Sequence, residues 1–186
     1  MQDLSDFAFS VEQVISLAPF VSTPLLQELV ERLDGVPLES AQLAALAPFL
    51  ERATVDALAT RLAIGPADLA PLAALAPFSS QAVLDGLVES FAGPVPVGHA
   101  AALAPFVSRA VLDRLVGRLG DGSLDGDGLA GLAPFLPRDT LRSLVEERLA
   151  RPVRPRVIAA LAPFVGQATL DALVRSAPGG VREELP

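Results

Sequence analysis

Asp121, Ser123, Asp125 and Gly126, within the stretch DGSLDGDG, stand where the first ligands and the turn glycine of a twelve-residue calcium loop would stand. Such a loop wraps a hard cation in oxygen atoms and closes on a bidentate Glu at its twelfth place. Here the twelfth place is Leu132, so calcium ligation is not expected and Asp125 is read as a helix cap. His99 is the single histidine and the chain has no Cys, which leaves no partner for a zinc site or a nucleophile–His pair. A solvated or capping role is expected for it. With no Cys, Lys, Tyr or Trp, catalysis would rest on Asp, Glu, Arg and Ser, and no Gly-rich phosphate loop or carboxylate motif stands out. The expectation is a protein that is not an enzyme and carries no cofactor and no metal.

The remaining charged cluster is Arg138, Arg142, Arg148, Arg151, Arg154 and Arg156. It reads either as a patch for an acidic partner or as a solvated face neutralised by Asp139, Glu146 and Glu147, and the second is favoured. All fourteen basic residues are Arg, and they are unevenly spread. Residues 1–93 hold three Arg against twelve acids, a balance of −9; residues 94–186 hold eleven against ten, a balance of +1, which together make the net −8. So acidic a chain repels nucleic acid. No apolar run approaches the roughly 20 residues that span a bilayer, and the opening MQDLSDFAFS lacks the basic-then-apolar pattern of a secretory signal. A cytoplasmic protein is expected, without membrane or nucleic-acid partners.

The elements that must carry these residues announce themselves by repetition. The tetrapeptide LAPF occurs six times: Leu17, Pro19 and Phe20; Leu46, Pro48 and Phe49; Leu75, Pro77 and Phe78; Leu103, Pro105 and Phe106; Leu132, Pro134 and Phe135; Leu161, Pro163 and Phe164. The steps are 29 residues, except one of 28 between Leu75 and Leu103. Each copy reads as two short helices. Leu25, Leu26, Leu29, Val30 and Leu33 form a helical stripe in the second helix of the first copy, and Val83, Leu84, Leu87, Val88 and Phe91 repeat it in the third. Ser22, Ser80 and Ser108 stand at N-cap positions of second helices, with Pro24 in a first turn. Ser10 with Gln13 has capping-box spacing at the start of a first helix; Asp68 and Asp125 share its register, and Pro71 and Pro155 fall in first turns.

Along the first helices small residues (Ala44, Ala45 and Ala47; Ala73, Ala74 and Ala76) mark an inward face that lets a neighbouring backbone come close. In LAPF itself, Leu is the last core residue of the first helix and Pro ends or bends that helix. Phe is expected to drop into the wedge between the two helices, so that Phe78→Ala would cost about 3–5 kcal/mol. Helices of about ten residues are marginal alone in water. Hairpins stacked side by side share a continuous core and remove that problem.

Pro48 with Asp56 and Arg61, and Pro105 with Asp113 and Arg118, make this pattern resemble HEAT-type αα-hairpin repeats. The resemblance spans roughly residues 6–178. It implies an interaction scaffold in which Asp56 with Arg61 and Asp113 with Arg118 form a ladder between adjacent repeats. The copies are shorter than those of that family, the Asp–Arg interval is five rather than six, and Gln27 and Arg142 replace the Asp in two copies.

The expected architecture is therefore all-α: a right-handed αα-hairpin solenoid of six tandem 29-residue helix-turn-helix repeats. Residues 1–9 would be an N-terminal cap segment, 10–177 the single solenoid domain and 178–186 a flexible tail. Ile15, where later copies place Ala44, Ala73, Ala101, Ala130 and Ala159, marks an open end rather than a closed ring. The expected function is a non-catalytic scaffold for a protein or peptide, bound on a face bearing Glu28, Asp56, Asp85, Asp113, Arg114 and Asp171. The alternative is a structural protein that self-assembles head to tail through its end repeats.

Overall fold

Leucine spacing and Ser, Asp or Pro caps produce short helices. In the computed structural model, which describes residues 9–33, 35–62, 69–120, 124–149 and 152–177, the described chain is all-α. The first helices of the copies are α1 (Val11–Leu17), α3 (Ser40–Leu46), α5 (Leu69–Leu75), α7 (Val97–Leu103), α9 (Gly126–Leu132) and α11 (Pro155–Leu161). Each ends on the Leu of LAPF. The second helices are α2 (Thr23–Arg32), α4 (Arg52–Ala59), α6 (Gln81–Ser90), α8 (Arg109–Gly117), α10 (Arg138–Arg148) and α12 (Gln167–Arg175).

The expected caps are largely in place. Ser10 and Gln13 close a capping box on α1, and the Asp125 side chain accepts from the Gly128 N–H at 3.0 Å. The Val111 N–H reaches the Ser108 hydroxyl at 3.4 Å. Ser22 and Ser80 hold N-cap geometry, yet neither side chain caps its own helix. Asp68 lies outside the described residues.

LAPF differs from expectation in two respects. The Ala ahead of Pro stays in right-handed helical geometry (Ala47 φ −52°, ψ −38°) although a following Pro disfavours it. In the second, third and fifth copies the helix tightens into a 3₁₀ turn over Ala-Pro-Phe. Pro sits in the first turn, where its missing N–H costs little. The chain then swings out to extended geometry, as at Leu50 (φ −102°, ψ 156°). The wedge assignment is corrected where Phe is exposed, in the first two copies, whereas Phe78 packs half-buried against the core. Phe20 is 84 % exposed and Phe49 36 %, and the other four are half-buried. Leu46, Leu75, Leu103, Leu132 and Leu161 are fully buried, and Ala47, Ala76 and Ala133 almost so. The inward alanine face is narrower than expected too: Ala45 and Ala74 face solvent, while Leu43 and Leu72 point inward.

Two compact units divide the chain, Met1–Gly93 with Phe106–Val111 and Pro94–Pro105 with Leu112–Pro186. In the first, α3 packs on both α1 and α5, and α4 packs on α6. Its core joins Val11, Val14, Leu26, Leu29, Val30 and Leu46, continuing through Leu43, Val55, Leu72 and Leu75. Burying one such Leu contributes about 1.5–3 kcal/mol. Gly35, after α2, has φ +90°, a geometry that favours glycine.

In the second unit α9 lies against α7 and α11, and α10 against α12. The α7–α9 approach requires glycine: a Cβ on Gly128 would stand 2.7 Å from a Val97 methyl and 3.0 Å from the Gly98 backbone nitrogen. Each of two hairpins here is also clasped at its base. Val95 bridges to Leu119 and Leu124 to Leu149, with the Val95 N–H donating to the Arg118 carbonyl at 2.9 Å.

Candidate functional site

The recurring polar feature is an acid on one second helix reaching the start of the next. Asp56, on α4, accepts from the Ser79 hydroxyl and from the Ser80 backbone N–H, both at 2.8 Å. Ser80 is the N-cap of α6, so the carboxylate satisfies a free backbone donor and faces the positive end of that helix. Asp85, on α6, accepts from the Ser108 N–H at 2.9 Å, just ahead of α8. Burial raises the Asp56 pKa, but the bonds from Ser80 and Ser79 and the charge of Arg52 outweigh it and hold the carboxyl below the usual aspartate range. In the second unit Thr169 donates its hydroxyl to Glu146 at 3.0 Å, and in the first Gln27 reaches Thr54 at 3.4 Å.

These contacts redistribute the expected face. Asp56 and Asp85 do not point outward; they are half-buried and fasten one hairpin to the next. Glu28, Asp113, Arg114 and Asp171 are exposed, with Glu28 paired to Arg32 at 3.0 Å. The inter-repeat contact at Asp56 goes to a helix start, and the arginine charge that lowers its pKa is that of Arg52. Arg61 and Arg118, the other members of the expected ladder, lie just past the C-terminal ends of α4 and α8. The pairing of Asp56 with Ser80 left a trace in the sequence: an acid 23 or 24 residues ahead of a hydroxyl at a helix start. At the next step the trace vanishes, since Pro137 caps α10 and has no N–H to offer Asp113.

Between α2 and α4 lies a groove of about 390 Å³ lined by Gln27, Val30, Glu31, Ala53, Thr54, Ala57, Leu58 and Arg61. A second hollow of about 360 Å³ shares Val30, Leu58 and Arg61 and continues along the loop through Val36, Pro37 and Leu38. Their apolar floor and charged rim suit an extended or helical segment better than a small metabolite.

Comparison with known proteins finds no matching family model, curated protein or solved structure. The candidate surface therefore rests on geometry.

The remaining candidates are structural in their contacts. Arg154 and Arg156 both clamp Asp127, the latter at 2.7 Å. The hydrogen bond from Arg156, with both arginine charges, keeps the Asp127 carboxyl below its ordinary range against partial desolvation. Asp127, rather than the expected Asp139, Glu146 or Glu147, is thus the counter-charge for Arg154 and Arg156, while Arg142 pairs with Asp139 at 3.5 Å. Arg148 donates to the Leu119 carbonyl at 3.2 Å, and Arg151 lies outside the described residues. Of the calcium-loop candidates, Asp121 and Ser123 also lie outside them; Asp125 caps α9, Gly126 opens it and Leu132 is fully buried. Among the described residues no group of three or more His, Asp or Glu is placed to hold a metal ion. His99, expected to be solvated or to cap a helix, is half-buried in the first turn of α7, and its Nδ1 is buried without a hydrogen-bond partner.

Proposed function

We propose that this chain is a non-catalytic scaffold, an α-solenoid of HEAT-like hairpins that holds a protein or peptide segment. The observation that carries this reading is the α2–α4 groove, where Val30, Ala57 and Leu58 form an apolar floor between Glu31 and Arg61. Two polar ends on an apolar trough fix the direction of a bound segment, while burial supplies the affinity. The inter-hairpin bonds of Asp56 and Asp85 support it further, because a groove between two helices recognises a segment only if the helices hold their spacing. Exposed Glu28 flanks the same helix and belongs to the same acidic surface. The proposal places the protein in the cytoplasm. No described helix is long and apolar enough to cross a membrane.

Ala57 is exposed, so Ala57→Arg fills the groove without disturbing the core. Affinity capture from source cells should retain a protein on the wild-type chain that Ala57→Arg loses. Equal capture by both chains would rule out the groove as the binding surface.

A further inference from the structure

Counted from the Leu of LAPF, the acid in two inter-hairpin bonds sits ten residues on and the backbone donor five residues on. Asp56 and Asp85 are the acids; Ser80 and Ser108 are the donors. The same frame puts a donor at Ser22, at the start of α2, and an acid at Asp171, on α12. Ser22 has φ −69° and ψ 150°, nearly the geometry of Ser80 (φ −75°, ψ 149°), so its N–H is presented in the same way. Among the described residues the Ser22 N–H and hydroxyl have no partner, and neither does the Asp171 carboxylate. One hairpin keeps the donor half of the bond open and another keeps the acceptor half.

Apolar positions agree. Eight residues past the same Leu, Thr54 accepts from Gln27 and Thr169 donates to Glu146, each on the hairpin before, so this register faces a preceding hairpin. Val111 is 2 % exposed there, but Leu25 is 40 % exposed and lines a groove of about 140 Å³ with Leu17, Val21 and Leu29. Thirteen residues past it, Val30, Ala59, Val88 and Val145 are buried, whereas Val174 is 42 % exposed. Charge adds one pairing: beside the Glu28–Arg32 pair α2 carries exposed Glu31, and Arg175 follows Val174 on α12.

From this continuity with the contacts already made within each unit, and resting on the helical-repeat reading above, we propose that the chain binds a second copy of itself head to tail. Asp171 of one copy accepts from the Ser22 N–H of the next, and Val174 and Leu25 close over each other. Arg175, in the register of Glu146, reaches the same turn of α2 as Val174.

Sedimentation velocity across a wide concentration range tests this with the full chain. The average mass of the wild type should rise with concentration. Leu25→Glu and Ser22→Pro should each weaken the association by about tenfold or more, the cost of losing one buried apolar anchor or one charge-assisted bond. Proline removes the N–H at a place where Pro96 and Pro137 already serve as N-caps, so Ser22→Pro keeps the helix start intact. Circular dichroism of each variant checks this, and Asp171→Asn reads the same bond from the other side. Ala82→Glu, on the exposed side of α6, should leave association unchanged. A wild type that stays monomeric throughout, or association untouched by Leu25→Glu and Ser22→Pro, overturns the proposal. Retention of the Ala57→Arg capture difference in that case would show that the scaffold reading survives its failure.

Discussion

Asp56 shows how one carboxylate serves two hairpins. It accepts from a hydroxyl and a backbone N–H of the following copy, and it lies at a helix N-terminus where negative charge is favoured. Asp56→Ala should lower unfolding stability by about 1–2 kcal/mol, as a part-buried charge-assisted bond would, measured by urea denaturation at neutral pH. The sign of the pH dependence follows from its depressed pKa. The stabilisation is fully present above the ordinary aspartate range and drains away as pH falls through the lower folded value. The wild type should therefore lose more stability than Asp56→Ala on acidification below that range; parallel losses would refute the assignment. Asp127 has a depressed pKa as well, but its Arg154 and Arg156 partners are exposed, and such surface pairs stabilise little. Asp56 was legible in the sequence as a repeated acid. That it turns inward was not, because ten residues past a Leu says nothing about what the next hairpin presents.

At the scale of elements, the helix pairs, their caps at Ser10 and Asp125, and the Leu that ends each first helix were all readable from spacing. The role of Phe was not. Hydrophobicity suggested a fully buried ring, but at the turn Ala76 is the buried residue, and Phe78 packs only half-buried against the core. Leu75→Ala should accordingly cost about 2–5 kcal/mol, within the usual range for a fully buried Leu. Phe78→Ala should cost clearly less than Leu75→Ala, reversing the order that a wedge would impose; thermal melts of both variants decide it. Gly128 supplies the other test at this scale. Its Cα hydrogen lies where a Cβ would strike Val97 and the Gly98 backbone. Gly128→Val should force α9 away from α7 and destabilise the second unit by about 1–3 kcal/mol or more, whereas Gly98→Ala, with open space around it, should be mild. Equal melting temperatures for the two would contradict the close packing.

Over the whole molecule, chemistry is sparse and repetition dominates. No catalytic or metal-binding constellation emerges from the sequence, and the most suggestive stretch places buried Leu132 where a calcium loop needs its last carboxylate. The sequence by itself determined the all-α class, the six copies of LAPF and several helix caps. Those follow from local rules: apolar spacing, capping side chains and proline geometry act within a few residues of chain. Only the tertiary structure decided which side of each helix is covered. It turned Asp56 and Asp85 into fasteners rather than a docking face, brought Asp127 to Arg154 and Arg156, and left Leu25 and Val174 uncovered. Those outcomes depend on residues 23 to 29 positions apart meeting across a packed interface, and no local preference encodes such a meeting.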